Sequence, residues 1–409
     1  MPQTINTNVV SLNAQRNLNQ SQSSLATSMQ RLSSGLRVNS AKDDAAGLAI
    51  AERMNTQVRG LNVAARNAND GISLAQTAEG ALGKVGDMLQ RMRELAVQSA
   101  NASNSADDRK ALQSEVTQLR DEIDRVAKGA SFNGKKLLEG SFTAATFQIG
   151  ANAGDSITVG SLADTRATAL SKIGFSENTT ATVNPADATV TGFAAPIAAA
   201  GAGALTITVN GVTTTLGAIP AATSGKERLG QVIEAINRKT ADTGVSAFLT
   251  DNGNGTFSLD VVGGKTDPTT GAGYAATFSA GFTVADTGFV AASADTLAAA
   301  TATDLAGIGT VDVTSDKKAW IAMKKLDSAL DQVNNSRGTL GALQSRFENA
   351  VSNIQIQAEN LSAARGRIMD ADFAMETANL SRAQILQQAG TAMVAQANQL
   401  PQQVLNLLK

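Results

Sequence analysis

Apolar residues recur in steps of three and four along the last stretch of the chain, residues 371–409. This spacing places them on one stripe of an α-helix. The rest of that surface is Gln, Asn, Ser and Ala, with almost no charge after Arg382. An isolated helix is only marginally stable in water, so the stripe requires partner helices. Its members are Ile385, Ala389, Met393, Ala397, Leu400, Val404 and Leu407.

The first 35 residues have a matching pattern. Ile5, Val9 and Leu12 open an apolar stripe, and the opposite face is again Asn, Gln and Ser. The stripe continues through Leu18, Leu25, Met29, Leu32 and Leu36. The two ends can therefore pack against each other, although an ordinary amphipathic helix in a bundle fits the same pattern.

Composition excludes several classes of function. The chain has neither Cys nor His, which removes disulfides, thiol nucleophiles, histidine bases and most zinc sites. Its formal net charge of -2 gives no basic field for nucleic acid, and we expect no cofactor or metal. No signal peptide and no run of 18 apolar residues is visible, so no membrane insertion is expected. These rules alone predict a cytosolic protein unless a dedicated machine exports it.

Helix-start signals and heptad repeats fill the segments next to both ends. Asp43 and Asp44 suit the first turn of a helix over about 42–67, and Asp70-Gly71 is expected to interrupt the pattern. Ser105 or Asp107 is expected to cap a later helix. The repeats comprise Ala75, Ala78, Leu82, Val85, Leu89, Met92 and Ala96, then Leu112, Val116, Leu119, Ile123 and Val126, then Ile321, Leu326, Leu330, Val333, Leu340, Phe347, Val351, Ile354, Ala358 and Leu361. They predict long helices with coiled-coil-like packing.

The middle of the chain follows a strand pattern instead. Phe147–Val159 and Leu205–Leu216 alternate apolar and polar residues, the latter around Asn210-Gly211, which predicts β-hairpins. Lys226–Lys239 is expected to form a helix, and residues 245–262 a further hairpin. The Ala/Thr-rich stretches 181–200 and 291–304 are expected to be connectors or irregular strands.

These patterns predict a mainly α fold with a β-rich insert, in which long coiled-coil-like helices from both termini pack together in an elongated molecule. We divide the chain into terminal helices at 1–40 and 368–409, a heptad-rich helical domain with a β-hairpin at 41–175 and 311–367, and an α+β variable outer insert at 176–310. Because neither terminal stripe can bury itself, we expect the terminal helices to be disordered in the monomer and to fold on assembly.

The chain resembles bacterial flagellin at both ends, over about 1–175 and 310–409. The middle is similar to an insert repeat found in some flagellins, through ALTITVNGVTTTLG and ERLGQVIEAINRKTADTGVSAFL. The stretches that carry the main resemblance are INTNVVSLNAQRNL, RLSSGLRVNSAKDDAAGLAIAERM, NANDGISLAQTAEGAL, EIDRVAKGASFNGKKLL and SRAQILQQAGTAMVAQANQLPQQVLNLL.

The resemblance implies a structural subunit that polymerises into the flagellar filament used for swimming. It implies secretion through the flagellar type III system, unfolded and without a cleaved signal peptide, to the outside of the cell. The terminal helices would line the inner tube of the filament, the heptad layer would form the outer tube, and the insert would be surface-exposed. The implied partners are other copies of the chain, an export chaperone, the filament cap and the hook-junction proteins.

Residues 90–98 resemble the flagellin segment that an animal Toll-like receptor recognises. Gln90, Arg91, Glu94, Leu95 and Gln98 belong to this segment, and Glu115 matches the acid contributed by the neighbouring helix. Leu119-Arg120 stands in the reverse order from receptor-active members. Filament packing is the primary role expected of these residues. The assembly residues expected from the terminal stripes are Leu25, Met29, Leu32, Leu36, Ile385, Met393, Leu400, Val404 and Leu407.

Three alternatives remain open from the sequence. The hook–filament junction protein has similar ends, and another secreted coiled-coil protein or adaptor would form a closed oligomer. An enzyme carried on a filament scaffold is disfavoured because the chain has no His for a zinc site. The acidic clusters at 43–44, 107–108 and 121–124 are interpreted as helix starts and solvated faces rather than as catalytic or metal sites.

Overall fold

A computed structural model describes residues 7–183, 190–201, 203–251, 257–267, 273–287 and 307–407; for 176–183, 251, 258–259 and 400–407 it describes the backbone alone. The helices are α1 (Val9–Ser34), α2 (Ala45–Ser99), α3 (Ala106–Gly129), α4 (Gly225–Arg238), α5 (Thr240–Thr243), α6 (Val284–Thr287), α7 (Asp316–Met369) and α8 (Phe373–Leu407). The strands are β1 (Ser131–Phe132), β2 (Lys135–Lys136), β3 (Ala145–Gln148), β4 (Ser156–Val159), β5 (Ser176–Val183), β6 (Thr206–Val209), β7 (Val212–Thr215), β8 (Val245–Asp251), β9 (Phe257–Gly263) and β10 (Ala276–Phe278).

The fold is mainly helical, with long terminal helices packed together and a smaller strand-containing insert in the middle of the chain, as the sequence predicts. The chain divides into two compact units. The first unit comprises Met1–Asp70, Thr146–Ile157 and Arg346–Lys409, and the second comprises Gly71–Ala145 and Thr158–Ser345.

The first unit contains the antiparallel pair of α1 and α8 and the adjoining parts of α2 and α7. Asn8 caps α1 by accepting a hydrogen bond from the Ser11 N–H, and α1 ends at Gly35, whose φ of 69° is in the left-handed region. Leu61, Ala64 and Ile354 form a buried cluster in this unit. The rings of Phe147 and Phe347 meet edge to face at 5.6 Å.

The heptad series of α2 forms a fully buried stripe in the second unit. Every residue predicted for it, from Ala75 to Ala96, is at most 1% exposed, which confirms the coiled-coil-like pattern. Val116 and Ile123 of α3 and Leu326 and Val333 of α7 are also buried, at most 1% exposed.

The helix break expected at Asp70-Gly71 is wrong, because α2 continues without interruption from Ala45 to Ser99. Buried positions recur in steps of three and four through Leu61, Ala64, Ala68, Gly71 and Ala75, so the apolar stripe passes through the glycine. A glycine inside a helix costs about 1 kcal/mol relative to alanine, which burial of a continuous stripe exceeds.

The strands of the predicted β-hairpins pair with each other. Strands β6 and β7 pair antiparallel with Val209 opposite Val212, and the turn residues Asn210 and Gly211 have φ values of 50° and 77°. This backbone favours Asn-Gly. Strand β3 pairs with β4, and β8 pairs antiparallel with β9. The predicted helix at 226–239 is confirmed as α4.

In its described residues, the insert contains two three-stranded sheets, in the orders β10-β6-β7 and β5-β9-β8. Strand β5, whose last three residues lie in the expected connector at 181–200, pairs antiparallel with β9. The expected connector at 291–304 lies outside the described residues. The buried side chains of α4, among them Val232, Ala235 and Ile236, pack with Ile207 and Val261 of the sheets.

The single tryptophan of the chain, Trp320 on α7, lies against the insert. Its ring is within 6.1 Å of the Phe175 ring and 6.3 Å of the Phe248 ring. A Cβ at Gly264 would lie 2.3 Å from the indole, so only glycine fits there. Lys317 and Asp260 form a largely buried ion pair at 3.8 Å beside this contact. The insert is thus attached to α7 by aromatic packing and by charge.

A capping box starts α3, as the sequence predicts for Ser105. The Ser105 hydroxyl accepts a hydrogen bond from the Asp108 N–H, and the Asp108 carboxylate accepts one from the Ser105 N–H. The hydrogen bonds from the Ser105 side chain and backbone lower the pKa of Asp108 below its ordinary value of 3.8.

We predict that the capping box makes the second unit sensitive to acid. Because the pKa of Asp108 is lowered in the folded state, its stabilisation is fully present above its ordinary pKa of 3.8 and is lost as the pH falls through the folded-state pKa. Asp108→Asn should therefore flatten the pH dependence of the free energy of unfolding between about pH 5 and about pH 2, measured by urea unfolding. Asp107→Asn, in the same turn, is the matched control and should retain the wild-type slope.

Candidate assembly surface

Helices α1 and α8 meet along a seam in which small side chains are interspersed with larger ones. The positions of α1 that are shielded from solvent recur in steps of three and four, as do those of α8. On α1 they are Ser11, Ala14, Leu18, Ser21, Leu25, Ser28 and Leu32, and on α8 they are Glu376, Leu380, Ala383, Gln387, Gly390, Val394 and Ala397. Alternation of larger and smaller residues allows the two backbones to approach closely.

Polar contacts fix the register of this seam. The Asn8 amide donates a 2.8 Å hydrogen bond to the Ala397 carbonyl, and the Ser11 hydroxyl donates to the Asn398 side-chain oxygen at 2.7 Å. At the opposite end, Arg31 lies 3.4 Å from the buried carboxylate of Glu376. These contacts tie the start of α1 to the later part of α8, so the two helices run antiparallel.

Many of the larger apolar side chains of both helices lie outside the seam and are exposed. Met29 is 57% exposed, Ile385 65% and Met393 60%, whereas buried Ala397 is 3% exposed. Further exposed apolar side chains on these two helices are Val9, Val10, Leu12, Phe373, Met375 and Leu386. Burying a side chain of this size contributes about 1.5–3 kcal/mol. The pair of helices therefore presents a large unburied apolar surface.

The structure divides the predicted assembly residues between two locations. Leu25 and Leu32 lie half-buried in the seam, and half-buried Leu36 pairs with Asp370 in an isolated antiparallel bridge. Met29, Ile385 and Met393 lie on the exposed faces. The predicted side chains of Leu400, Val404 and Leu407 lie outside the described part of the chain, although the backbone of α8 extends to Leu407.

A polar groove of about 500 Å³ runs beside the seam. Ser24 and Thr27 line it, and their hydroxyls donate to carbonyls one turn earlier on α1, those of Gln20 and Ser23. Its lining combines hydroxyl and amide groups with Arg31, Arg382 and Leu386, and holds no pairing of a nucleophile with a base.

A second candidate surface lies where α2 meets α3. Arg91 donates hydrogen bonds to Glu115 at 2.9 Å and to Glu94 at 3.1 Å. These bonds raise the pKa of Arg91, and the bond to Glu115 contributes most. The structure thus brings together three of the residues predicted for receptor recognition. Gln90 and Gln98 are exposed on the same helix.

Leu95 occupies a different environment from the rest of the predicted receptor segment. Its side chain is 1% exposed and belongs to the core of the second unit. Arg120 belongs to the Leu119-Arg120 dipeptide, whose order is reversed relative to receptor-active flagellins. Its guanidinium pairs with Asp121 at 2.8 Å and donates to the Gly309 carbonyl at 3.3 Å. Of the residues predicted for receptor recognition, only the charged and amide ones are therefore exposed.

Acidic residues do not form a metal site in the described residues. Among 7–183, 190–201, 203–251, 257–267, 273–287 and 307–407, no group of three or more His, Cys, Asp or Glu side chains could hold a metal ion. Over the same ranges, no helix is both long enough and apolar enough to span a lipid bilayer. Asp43 instead accepts hydrogen bonds from the Ser40 and Asn39 N–H groups. These bonds lower the pKa of Asp43, and the bond from Ser40 contributes most.

Family models match most of the chain outside the insert. The bacterial flagellin N-terminal helical region matches residues 5–143, and the bacterial flagellin C-terminal helical region matches residues 323–408. The chain belongs to the bacterial flagellin family. Flagellins are structural proteins, and the chain is accordingly a structural subunit of the extracellular flagellar filament, not an enzyme. Residues 204–261 also match the flagellin hook IN motif, in agreement with the insert repeat predicted from the sequence.

Curated flagellins match this one over their full length. The chain is 38% identical to the B-type flagellin of Pseudomonas aeruginosa, covering 100% of both chains, and 42% identical to flagellin D of Vibrio anguillarum, covering 99% of both. Among solved structures, FliC from Burkholderia pseudomallei is 25% identical, with a TM-score of 0.37, and the match covers 68% of this chain and 99% of that one.

We predict that the seam between α1 and α8 tolerates no large side chain at Gly390. A Cβ there would lie 3.1 Å from Leu18, so Gly390→Leu should force the helices apart. Overpacking of this kind costs typically 1–3 kcal/mol, and filaments of the variant should dissociate at a lower temperature than wild type. Gly230→Leu adds the same side chain to α4, where a Cβ meets open space, and should leave the dissociation temperature unchanged.

Proposed function

We propose that the chain polymerises through the outward faces of α1 and α8. The observation that carries this proposal is the concentration of exposed large apolar side chains on these two helices, whose seam is already filled by other residues. A contact between this surface and a different surface of the next copy is heterologous. Such a contact generates an open helical filament when the rotation does not close.

We also propose positions for the segments within the filament, as the resemblance to flagellins implies. Segments 1–40 and 368–409 form the inner tube, 41–175 and 311–367 form the outer tube, and 176–310 projects into solvent. The uncharged Gln, Asn and Ser residues of the two terminal segments suit a channel through which unfolded chains pass. The absence of Cys supports export as an unfolded chain, because no disulfide can form on the way.

Export and growth require further partners. The chain leaves the cell through the flagellar type III system and interacts with an export chaperone, the filament cap and the hook-junction proteins. The exposed aliphatic face of α8, around Ile385, Leu386 and Met393, supports a chaperone that shields apolar surface before export.

Substitution on the outward faces tests the polymerisation proposal. Ile385→Asp together with Met393→Asp places two charges on the proposed contact, and we expect seeded growth of filaments to be abolished because an unpaired buried charge is strongly unfavourable. The measurement is light scattering with electron microscopy after addition of short filament seeds.

Val212→Asp is the matched control for this experiment. Val212 is 62% exposed on strand β7 of the insert, so an aspartate replaces an aliphatic side chain of similar exposure outside the proposed contact. The control should polymerise at the wild-type rate. Normal growth of the α8 variant, or a fixed-size oligomer of wild type under every condition, would overturn the proposal.

The terminal helices should gain order on assembly. Because their apolar faces have no partner within the chain, we expect residues 1–35 and 371–409 to be cleaved readily in the free subunit and protected in the filament. Limited proteolysis with mass spectrometry before and after seeding measures this difference. If both termini resist cleavage in the free subunit as strongly as in the filament, they fold in the monomer and this prediction is wrong.

We further propose that an animal Toll-like receptor senses the free subunit at the surface between α2 and α3. The cluster of Arg91, Glu94 and Glu115 supports this assignment. Each of these side chains is 43–68% exposed, and ion pairs of Arg91 with both glutamates hold the cluster together. Gln90 and Gln98 extend the surface, and buried Leu95 anchors the helix beneath it.

Reversal of charge at Arg91 tests receptor recognition. Arg91→Asp faces two carboxylates and should lower the potency of receptor signalling roughly 30-fold or more, as expected for loss of a central interfacial arginine. Arg125→Asp is the matched control because it breaks the exposed pair with Glu122 on α3. Circular dichroism must show that both variants keep wild-type helicity, and retained signalling by Arg91→Asp would refute the assignment.

A further inference from the structure

Methionine side chains fall into two groups by exposure. Met29, Met375 and Met393 are 57%, 65% and 60% exposed, and all three lie on α1 or α8. The remaining methionines of the described chain are shielded: Met92 is 0% exposed, and half-buried are Met54, Met88, Met323 and Met369. Among the described methionines, the exposed thioethers are thus confined to the terminal helices.

The thioether of methionine is the most readily oxidised group that this chain places in an apolar surface. The chain has no Cys, so no thiol competes for a two-electron oxidant. Oxidation to the sulfoxide converts a flexible apolar side chain into a polar one, and susceptibility to oxidation follows exposure. The three exposed methionines are therefore the expected first targets in the free subunit.

We propose that Met29, Met375 and Met393 form an oxidation-sensitive modification site that controls whether the free subunit can polymerise. The inference rests on the proposed polymerisation through the outward faces of α1 and α8. Sulfoxides on these faces would have to be desolvated in the contact between copies, and the unmodified thioethers would not.

The reaction balances with hydrogen peroxide as the oxidant. A lone pair of the thioether sulfur attacks one peroxide oxygen, the O–O bond breaks, and an S–O bond forms. The remaining oxygen leaves as water after proton transfer, so the sulfur is oxidised by two electrons and the peroxide is reduced. Methionine sulfoxide reductases reverse the change at the expense of a dithiol, which becomes a disulfide, with one enzyme class for each sulfoxide epimer.

Polymerisation should in turn protect the site. Once the outward faces are covered by neighbouring copies, peroxide reaches these sulfurs more slowly than in the free subunit. The modification therefore acts on subunits before they are incorporated and spares the filament already built.

The test begins with free subunits exposed to dilute hydrogen peroxide and mapped by peptide mass spectrometry. Met29, Met375 and Met393 should oxidise at least about tenfold faster than Met92, in line with their exposure. Seeded growth of the oxidised subunits should require about a tenfold or higher protein concentration, the change expected from loss of one buried methionine contact. Treatment with both classes of reductase should restore growth.

Two leucine variants separate the site from general oxidative damage. Met29→Leu, Met375→Leu and Met393→Leu combined nearly conserves volume and should polymerise normally before and after peroxide. Met88→Leu, Met323→Leu and Met369→Leu combined is the matched control, and its growth should remain as sensitive to peroxide as that of wild type.

Each contrary result has a distinct meaning. If untreated wild-type subunits fail to polymerise, the proposed function falls and this inference falls with it. If untreated subunits polymerise and oxidised subunits polymerise equally well, the inference alone is overturned. It is also overturned if peroxide inhibits growth of the Met29, Met375 and Met393 triple-leucine variant as strongly as growth of wild type.

Discussion

Close approach of α1 and α8 is the contact on which the properties of the terminal helices depend. Ser11, Ser28, Ala383, Gly390 and Ala397 leave little side chain between the two backbones. Leucines such as Leu18 and Leu25 fill the seam between these small residues, whereas Ile385 and Met393 lie on the outward faces. The same sequence pattern therefore produces both the α1–α8 pair and its exposed apolar surface. That surface is available for contacts with other copies of the chain.

Much of the fold could be predicted because its main signals are local. The α2 series from Ala75 to Ala96 follows the heptad period without a polar exception, and every member is buried. Asn210-Gly211 specifies its own hairpin through the positive φ values that it adopts. The helix break predicted at Asp70-Gly71 is wrong because burial of an apolar stripe that continues on both sides outweighs the turn preference of these two residues.

The assembly surface was harder to predict, because hydrophobicity alone does not distinguish an intrachain contact from a contact with another copy. The sequence stripe through Ile385 and Met393 follows the largest apolar residues of α8, whereas the seam follows Ala383 and Gly390. Only the pairing with Leu18 and Ser11 of α1 shows which helix face is used within the chain. For the same reason, the burial of Leu95 could not be separated from the exposure of Arg91 four residues earlier.

Because of the placement of Trp320, intrinsic fluorescence reports on one part of the molecule only. The indole stands between Phe175 and Phe248, where α7 meets the insert, and it is the single tryptophan of the chain. With one tyrosine elsewhere, at Tyr274, near-ultraviolet emission originates almost wholly from this junction. A fluorescence signal therefore reports on the attachment of the insert and is silent about the terminal helices, whose ordering needs a helicity measurement. Comparison of the two signals separates melting of the insert from melting of the ends within one unlabelled sample.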